Sequence, residues 1–262
     1  MKPIIYFRGS LSEENELNIA KQYFDVVESR VGVKNKLVIP RYSALPFYKE
    51  LEYDVEIQGS KLINSYEQHK YIADFEYYND IRDYTPETYF SFQDIPDNGM
   101  FVVKGKTNSR KFHWNSLMFA EGKQNAILVA CDLQRDALIS QQDIIVREFV
   151  PLEKVDDGIN GLPISNEWRF FCYKNETLSY GFYWSEVTDK KRPDIDDEAF
   201  ELIESVKPIL SDRVNFFVVD VAKTNSGQWI VIECNDGQQS GLSANDPHIL
   251  YKKLHDGIVK HE

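Results

Sequence analysis

The chain has 262 residues, 42% of them hydrophobic and 13% aromatic, which is enough for one large domain or two lobes around a sizeable core. Its 30 basic and 42 acidic residues give a formal net charge of -12, which argues against a protein that binds nucleic acid through its overall field. The sequence has no apolar run of about 18 residues and no signal-peptide core near its N-terminus, so we expect a cytoplasmic protein that does not cross a membrane.

The N-terminal segment is predicted to form a small α/β lobe. Residues 4–8 form a short apolar run typical of a buried strand, and a second strand is predicted near residues 36–40. Between them, Ser12 is the predicted N-cap of a helix with acidic residues in its first turn. The apolar positions of that helix recur at helical spacing: Leu17, Ala20, Phe24 and Val27. A strand-helix-strand order of this kind opens many α/β lobes.

The middle of the chain is predicted to begin a second lobe. Residues 62–81 are rich in tyrosine and acidic residues, and they lead into residues 85–88, where a proline and two threonines mark a boundary. Residues 100–104 are predicted to form a strand. The polar, basic residues 105–111 follow, and they are predicted to form a mobile loop.

The second half of the chain is predicted to be mostly strands. One strand covers residues 144–150 and ends at a proline, and residues 167–173 pair with residues 177–184 in a hairpin. A helix over residues 196–209 then leads to a second hairpin at residues 215–235.

Lys104 ends an apolar strand just before the basic loop. In that position it would hold an ammonium at the wall of a cleft, while Lys106, Arg110 and Lys111 would screen phosphate charge from the loop above. The alternative is that all four are solvated surface cations. The loop is not a P-loop, since that motif needs a glycine where this chain has Met100, and a helix immediately afterwards.

Two arginines stand within predicted strands. Arg147 and Glu148 interrupt an apolar strand, and Arg169 shares a strand face with Glu167. Arginine is well shaped to hold a phosphate or carboxylate with two parallel hydrogen bonds. The alternative is an Arg-Glu pair that satisfies only itself across the strands.

The second hairpin carries acids where a core would favour apolar residues. If residues 226–227 form a two-residue loop, Asp220 lies opposite Glu233, and Asn235 points to the same face. Opposed carboxylates repel each other unless a cation lies between them. Oxygen ligands of this kind suit Mg²⁺, which also binds substrate phosphates and so implies a nucleotide. The alternative is a solvated sheet face.

Together these motifs resemble the ATP-grasp superfamily of nucleotide-dependent ligases over nearly the whole chain. The motifs, in order, are the strand ending in Lys104, the strand 144–150, Glu167-x-Arg169, Asp220, and Glu233-x-Asn235. The resemblance implies an α+β class ATP-grasp fold, in which two α/β lobes clasp a nucleotide and a small N-terminal α/β lobe precedes them. The expected divisions are residues 1–65 for the N-terminal lobe, 66–145 for the lobe with the lysine and lid, and 146–262 for the lobe with the metal site.

The resemblance also implies roles for individual residues. The backbone of the linker strand ending at Val150 would hold adenine, and Glu153 would contact the ribose. Lys104 would contact the phosphates, and Arg169 the transferred phosphate or the reacting carboxylate, which makes these two the predicted catalytic residues. The predicted nucleotide-binding residues are Lys104, Lys106, Arg147, Glu148, Phe149, Val150 and Glu153. The predicted metal ligands are Asp220, Glu233 and Asn235.

The function implied is that of an ATP- and Mg²⁺-dependent carboxylate-amine ligase that forms ADP. It would act through an acyl phosphate on an amino acid, a peptide or a related small carboxylate. Two alternatives keep the nucleotide site: a small-molecule kinase, and a nucleotide-binding module without catalysis. The expected partner is a small-molecule or peptide substrate, and neither nucleic acid nor a membrane is expected.

Overall fold

A parallel sheet forms the N-terminal part of the protein. The computed structural model describes residues 1–8, 14–42 and 46–261. The strands of the first sheet are β1 (Pro3–Phe7), β2 (Asp25–Val27), β3 (Leu37–Arg41) and β4 (Lys61–Leu62). They lie in the order β2-β1-β3-β4, and all three pairings are parallel. Two helices accompany this sheet: α1 (Glu14–Ala20) and α2 (Tyr48–Glu56).

The predicted strands of this lobe are confirmed, but the predicted helix is too long. The helix α1 ends at Ala20, so Phe24 and Val27 do not belong to it. Phe24 packs in the core of the lobe, and Val27 lies in β2 opposite Tyr6. Pairing with β1 therefore outweighs the helical spacing of the apolar positions. The predicted N-cap, Ser12, lies outside the described residues.

Short helices connect the first sheet to the second. They are α3 (Tyr66–Ala73), α4 (Tyr77–Asp80) and a 3₁₀ turn (Arg82–Tyr84). The side chain of Ser65 accepts a hydrogen bond from the Gln68 N–H, and the Gln68 side chain accepts one from the Ser65 N–H. This capping box fixes where α3 begins.

The middle sheet is antiparallel. Its strands are β5 (Thr88–Tyr89), β6 (Met100–Gly105), β7 (Phe119–Glu121) and β8 (Ile144–Glu148), in the order β5-β8-β6-β7. The helices α5 (Trp114–Leu117) and α6 (Gly122–Leu133) lie between β6 and β8 in the chain, separated by β7, and α6 shares a core with this sheet. The predicted strand 144–150 ends two residues early, at Glu148, and the expected division between residues 145 and 146 falls inside β8.

A small hairpin and a larger antiparallel sheet complete the fold. The hairpin pairs β9 (Lys154–Asp157) with β10 (Pro163–Ser165). The strands of the larger sheet are β11 (Glu167–Tyr173), β12 (Glu176–Phe182), β13 (Phe216–Lys223) and β14 (Trp229–Asp236). They lie in the order β12-β11-β13-β14. The predicted strands are present, and α7 (Asp197–Ser211) confirms the predicted helix.

Both faces of this last sheet are buried. On one face, Phe170 and Val219 pack with α7, and on the other, Phe171 and Val218 pack with the N-terminal lobe. A final helix, α8 (Pro247–Lys260), covers the second face. It is absent from the sequence predictions, although Asp246 caps it and Pro247 begins it. No helix of the described residues is long and apolar enough to cross a membrane.

Candidate active site

Three strands of the last sheet place three charged residues in one row. Arg169 of β11 lies opposite Asp220 of β13, and Asp220 lies opposite Glu233 of β14. Directly opposed residues point to the same face of a sheet, so this cross-strand row presents one cation and two acids together. The predicted pairing of Asp220 with Glu233 is therefore confirmed.

The loop that sets this register differs from the prediction. The Thr224 N–H bonds the Gln228 carbonyl (2.7 Å), which encloses a three-residue loop at residues 225–227 in place of the predicted two-residue loop. Gly227 in this loop has a positive φ of 89°, as such loops require. A bulge between Asp220 and Val221 then restores the predicted pairing of the two acids, because it shifts the register by the one residue that the longer loop had added.

Arg169 holds Asp220 with two parallel hydrogen bonds. Its Nε and Nη2 donate to the two carboxylate oxygens of Asp220 at 2.9 and 2.8 Å, and its Nη1 donates to the Gly241 carbonyl at 2.9 Å. Burial disfavours the charge on Arg169, but Asp220 outweighs this effect and raises the pKa of the guanidinium. Burial also raises the pKa of Asp220, and Arg169 opposes that shift. The two parallel hydrogen bonds thus fix the position of both side chains.

Lys104 reaches the same row from the middle sheet. Its Nζ donates to Glu233 Oε2 at 2.7 Å, and the side chain is only 4% exposed. Burial acts to raise the pKa of Glu233, but the Lys104 ammonium prevails and holds it below its usual value. The sequence predicted each of these residues, and the fold brings them together across two sheets.

Two further ionisable side chains complete the cluster. Lys111 donates to the Tyr183 hydroxyl at 2.9 Å, and burial lowers the pKa of this lysine. Burial raises the pKa of Glu167 to about 8, and the nearby charge of Asp220 adds to the effect. Trp184 Nε1 donates to the Glu167 carboxylate at 2.9 Å. The sequence predictions left Glu167 outside the site, because a strand pattern does not reveal which acid will be buried.

An apolar cavity of about 320 Å³ lies on one side of the row. Its walls include Val102, Met118, Phe149, Val150, Leu162 and Ile232. The predicted linker passes along it, and there the Val150 N–H and the Phe149 carbonyl have no backbone partner among the residues that the structure describes. A flat apolar group with polar edges could therefore lie here.

A polar cavity of about 330 Å³ adjoins it. Its walls include His69, Lys106, Lys111, Arg169, Asn235, Asp236 and Ser240. Four residues line both cavities: Ser109, Lys111, Tyr183 and Glu233. The Lys104-Glu233 pair thus lies where an apolar compartment meets a polar one.

The other predicted nucleotide residues occupy different positions. Arg147 lines the apolar cavity, but its guanidinium donates to Thr85, to Thr88 and to the Ile232 carbonyl, so it joins the middle sheet to the last sheet. Glu148 also lines this cavity. Lys106 lines the polar cavity and pairs with Asp143 at 2.8 Å. Glu153 is exposed and lies outside the linings of both cavities.

The predicted metal ligands form an all-oxygen donor set. Asn235 Nδ2 donates to Asp220 Oδ2 at 3.2 Å, so its amide adjoins the Asp220 carboxylate. Among the described residues, no group of three or more His, Cys, Asp or Glu side chains is arranged to hold a metal ion. Two carboxylates and an amide oxygen nevertheless fit Mg²⁺, which takes few protein carboxylates and completes its shell with water and phosphate oxygens.

Two lobes, each built on an antiparallel sheet, face each other across a charged cleft. This arrangement is that of an ATP-grasp protein, and the family match and the solved structures below confirm the predicted fold class. Within that class, the chain belongs to the R2K clade family 3 of ATP-grasp domains, whose family model matches residues 93–254. Membership implies ATP as a ligand. The matched range contains Lys104, Arg169 and the predicted metal ligands, but not the N-terminal lobe.

Solved structures with the same fold cover almost the entire chain. D-cycloserine synthetase DcsG is 13% identical with a TM-score of 0.63, over 98% of this chain and 99% of that one. A RiPP-associated ATP-grasp ligase from Chryseobacterium gregarium, solved with ADP and a leader and core peptide, is 11% identical with a TM-score of 0.59, over 100% and 98%. D-alanine-D-alanine ligase from Bacillus anthracis, complexed with ATP, is 11% identical with a TM-score of 0.57, over 99% and 98%. A comparison with curated proteins finds no match.

Proposed function

We propose that the protein is an ATP- and Mg²⁺-dependent ligase that joins a carboxylate to an amine through an acyl phosphate. The observation that carries this proposal is the cross-strand row of Arg169, Asp220 and Glu233, with Lys104 Nζ 2.7 Å from Glu233. Within this row, Glu233 lines both the apolar and the polar cavity, and Arg169 lines the polar one. The cytoplasmic location expected from the sequence is part of the proposal.

The adenine of ATP would bind in the apolar cavity, and its phosphates would extend toward Lys104. The Val150 N–H and the Phe149 carbonyl would supply one donor and one acceptor to the edge of the base. Asp220, Glu233 and Asn235 would hold Mg²⁺, which when bound neutralises phosphate charge and orients the phosphates. Lys104 and Arg169 would turn from these acids toward phosphate as the ligands bind.

In the first step, a substrate carboxylate oxygen attacks the γ-phosphorus of ATP. The new P–O bond forms as the bond to the bridging oxygen breaks, and ADP leaves with that electron pair. Lys104 and Arg169 stabilise the charge on the transferred phosphoryl group. In the second step, an amine attacks the acyl carbon, phosphate leaves, and an amide remains.

The polar cavity would hold the carboxylate and amine substrates. Its cations Lys106, Lys111 and Arg169 suit an anionic acid, and its volume of about 330 Å³ suits an amino acid or the end of a peptide. Structures with this fold include enzymes named for D-cycloserine and for D-alanine, and one solved with peptides. We infer a small amino acid or peptide as the substrate class.

The test is a screen for ADP release with ATP, Mg²⁺ and pools of amino acids and dipeptides, followed by mass analysis of the products. A ligase yields an amide, and an ¹⁸O-labelled carboxylate passes one labelled oxygen to phosphate. We expect Lys104→Met to lower ADP release by about 100-fold or more. The control Lys253→Met, at an exposed position on α8, should leave it unchanged. A phosphorylated product without an amide would identify a kinase, and ATP binding without ADP release under any mixture would identify a binding module.

A further inference from the structure

The polar cavity has a histidine in its wall that lies outside the matched family region. His69 belongs to α3 and is 3% exposed. Its ring stacks on Tyr48 with centroids 4.1 Å apart and planes 4° from parallel. Its Nδ1 lies 2.9 Å from Asp236 Oδ2. The ring is thus fixed on one face and at one nitrogen.

Asp236 is held so that it can only accept. Its Oδ1 accepts from Asn64 Nδ2 at 3.0 Å and from the Gln238 N–H at 2.9 Å, and Gln238 Nε2 donates to both oxygens at 3.1 Å. Asn64 is fixed in turn by the Phe216 backbone. A carboxylate surrounded by donors is an acceptor, so His69 Nδ1 carries a hydrogen, and in the neutral ring Nε2 then has the lone pair.

Nε2 of His69 is buried and has no hydrogen-bond partner among the residues that the structure describes. A buried acceptor without a partner is unfavourable, and because His69 lines the polar cavity, a ligand in that cavity is the group that could supply the missing partner. The oriented pair resembles the acid-histidine arrangement by which enzymes hold a general base. Glu167, the other candidate base, lines only the apolar cavity.

We propose that His69 is the general base of the amide-forming step, an inference that rests on the proposed ligase function. The amine nitrogen attacks the acyl carbon and the C–N bond forms. The bond from that carbon to the phosphate oxygen breaks, and phosphate leaves with the electron pair. The proton that the amine nitrogen loses passes to His69 Nε2, and Asp236 stabilises the imidazolium. Hydrogen bonds of this kind tighten when the substrate binds.

The first experiment separates the two half-reactions in His69→Gln. Acyl-phosphate formation is measured by trapping with hydroxylamine, a nucleophile that is largely neutral at pH 7 and needs no base, and amide formation is measured with the amine substrate. We expect amide formation to fall by about 100-fold or more while trapping stays within about threefold of wild type. The control His248→Gln, at an exposed position on α8, should leave both rates unchanged.

An equal loss in both half-reactions would mean that His69 only holds Asp236 in place, and it would overturn the inference. Unchanged amide formation in His69→Gln would overturn it as well, while the ligase function stood. If wild-type protein forms no acyl phosphate with any acid, the proposed function fails and this inference fails with it.

A second measurement observes the tautomer in wild-type protein, and a folded variant is needed only to assign the signal. In ¹⁵N-histidine-labelled wild-type protein, long-range ¹H–¹⁵N spectra distinguish the two neutral tautomers of each ring. We expect His69 in the Nδ1–H form, and the signal that disappears in His69→Gln or His69→Asn identifies it among the histidines. Finding His69 with a hydrogen on Nε2 in the ligand-free protein would contradict its role as the base.

Discussion

Each acid of the cross-strand row has a cation within hydrogen-bonding distance in the ligand-free protein. Arg169 holds Asp220, and Lys104 holds Glu233. Binding of Mg²⁺ and nucleotide would exchange these partners, so that the acids face the metal and the cations face phosphate. The site is thus neutralised in both states, which is what buried charges require.

Arg169→Lys tests whether the forked shape of arginine matters as well as its charge. Lysine keeps the charge but cannot hold two oxygens in parallel, so the transferred group would be less well oriented. We expect kcat to fall by about 100-fold, with KM for ATP changed by only a few-fold. Steady-state ADP release measures both, and a kcat close to that of wild type would contradict the role given to Arg169.

Glu167 predicts a pH dependence of stability. Because its pKa is raised to about 8, the folded protein binds a proton that the unfolded chain has lost, so stability falls as pH rises toward 8. Glu167→Gln removes this loss. Between pH 6 and 8, we expect the free energy of unfolding of the variant to rise relative to that of wild type by up to about 1.4 kcal/mol for each pH unit. Above pH 8 we expect no further increase. Urea unfolding without Mg²⁺ or nucleotide measures this, and a difference that does not change with pH would contradict it.

The sequence predicted most of the site residues that lie on strands, although it left Glu167 of β11 outside the site. Alternation along a strand is enough to align Asp220 with Glu233 and Asn235 and to set Arg169 apart from its apolar neighbours. Glu167 and His69 gain their roles from burial and from contacts with distant segments. No local pattern reveals such contacts, so these two residues were beyond sequence prediction, whereas the sequence already indicated Lys106, Lys111 and Arg169 of the polar cavity.

At the scale of elements, the predicted pairing of Asp220 with Glu233 is correct although the predicted loop between their strands is wrong. The hairpin of β13 and β14 has one more loop residue than predicted and a bulge that compensates for it. For the helix α1 the prediction itself is wrong. The helical spacing of apolar residues placed Val27 in this helix, but Val27 pairs with β1 as part of a strand. The helix α8 could have been predicted, since Asp246 and Pro247 begin it and Leu250, Leu254 and Ile258 follow at helical spacing.

Gly181 in β12 is predicted to tolerate no side chain. A Cβ there would lie 2.3 to 2.6 Å from backbone atoms of Ala244 and Asn245, just before α8. Backbone cannot move aside as a side-chain tip can, so we expect Gly181→Ala to cost about 3 kcal/mol of unfolding free energy. Gly241→Ala is the matched control, because its Cβ meets nothing within 4 Å and should cost at most about 0.5 kcal/mol. Equal stability of the two variants would contradict this close approach.

At the scale of the whole molecule, the N-terminal lobe helps to build the polar cavity. Arg41, at the end of β3, is fully buried and pairs with Glu16 at 2.9 Å. It also donates to the carbonyls of Gly237 (2.6 Å) and Ser240 (3.0 Å), in the loop that follows β14. The N-terminal lobe thus shapes the loop whose Gly241 carbonyl accepts a hydrogen bond from Arg169. The lobe does so although it lies outside the matched family region.

Arg41→Met should destabilise the protein by about 3–5 kcal/mol, because it leaves the Glu16 carboxylate buried without its cation. The double variant Arg41→Met with Glu16→Gln removes that charge and should recover part of the loss. Urea unfolding measures both free energies. A double variant no more stable than Arg41→Met would show that the buried charge is not the cause.

Asp220, Glu233 and Lys104 are proposed to form a site for ATP with Mg²⁺. The most direct test of this proposal is the thermal midpoint of wild type and of Glu233→Gln, each with and without millimolar Mg-ATP, with Glu201→Gln on the exposed side of α7 as the control. At about 100 times its dissociation constant a ligand adds about 2.7 kcal/mol, a midpoint rise of several degrees. We expect that rise in wild type and in the control, and its loss in Glu233→Gln. No rise in wild type, or an undiminished rise in Glu233→Gln, would contradict the account.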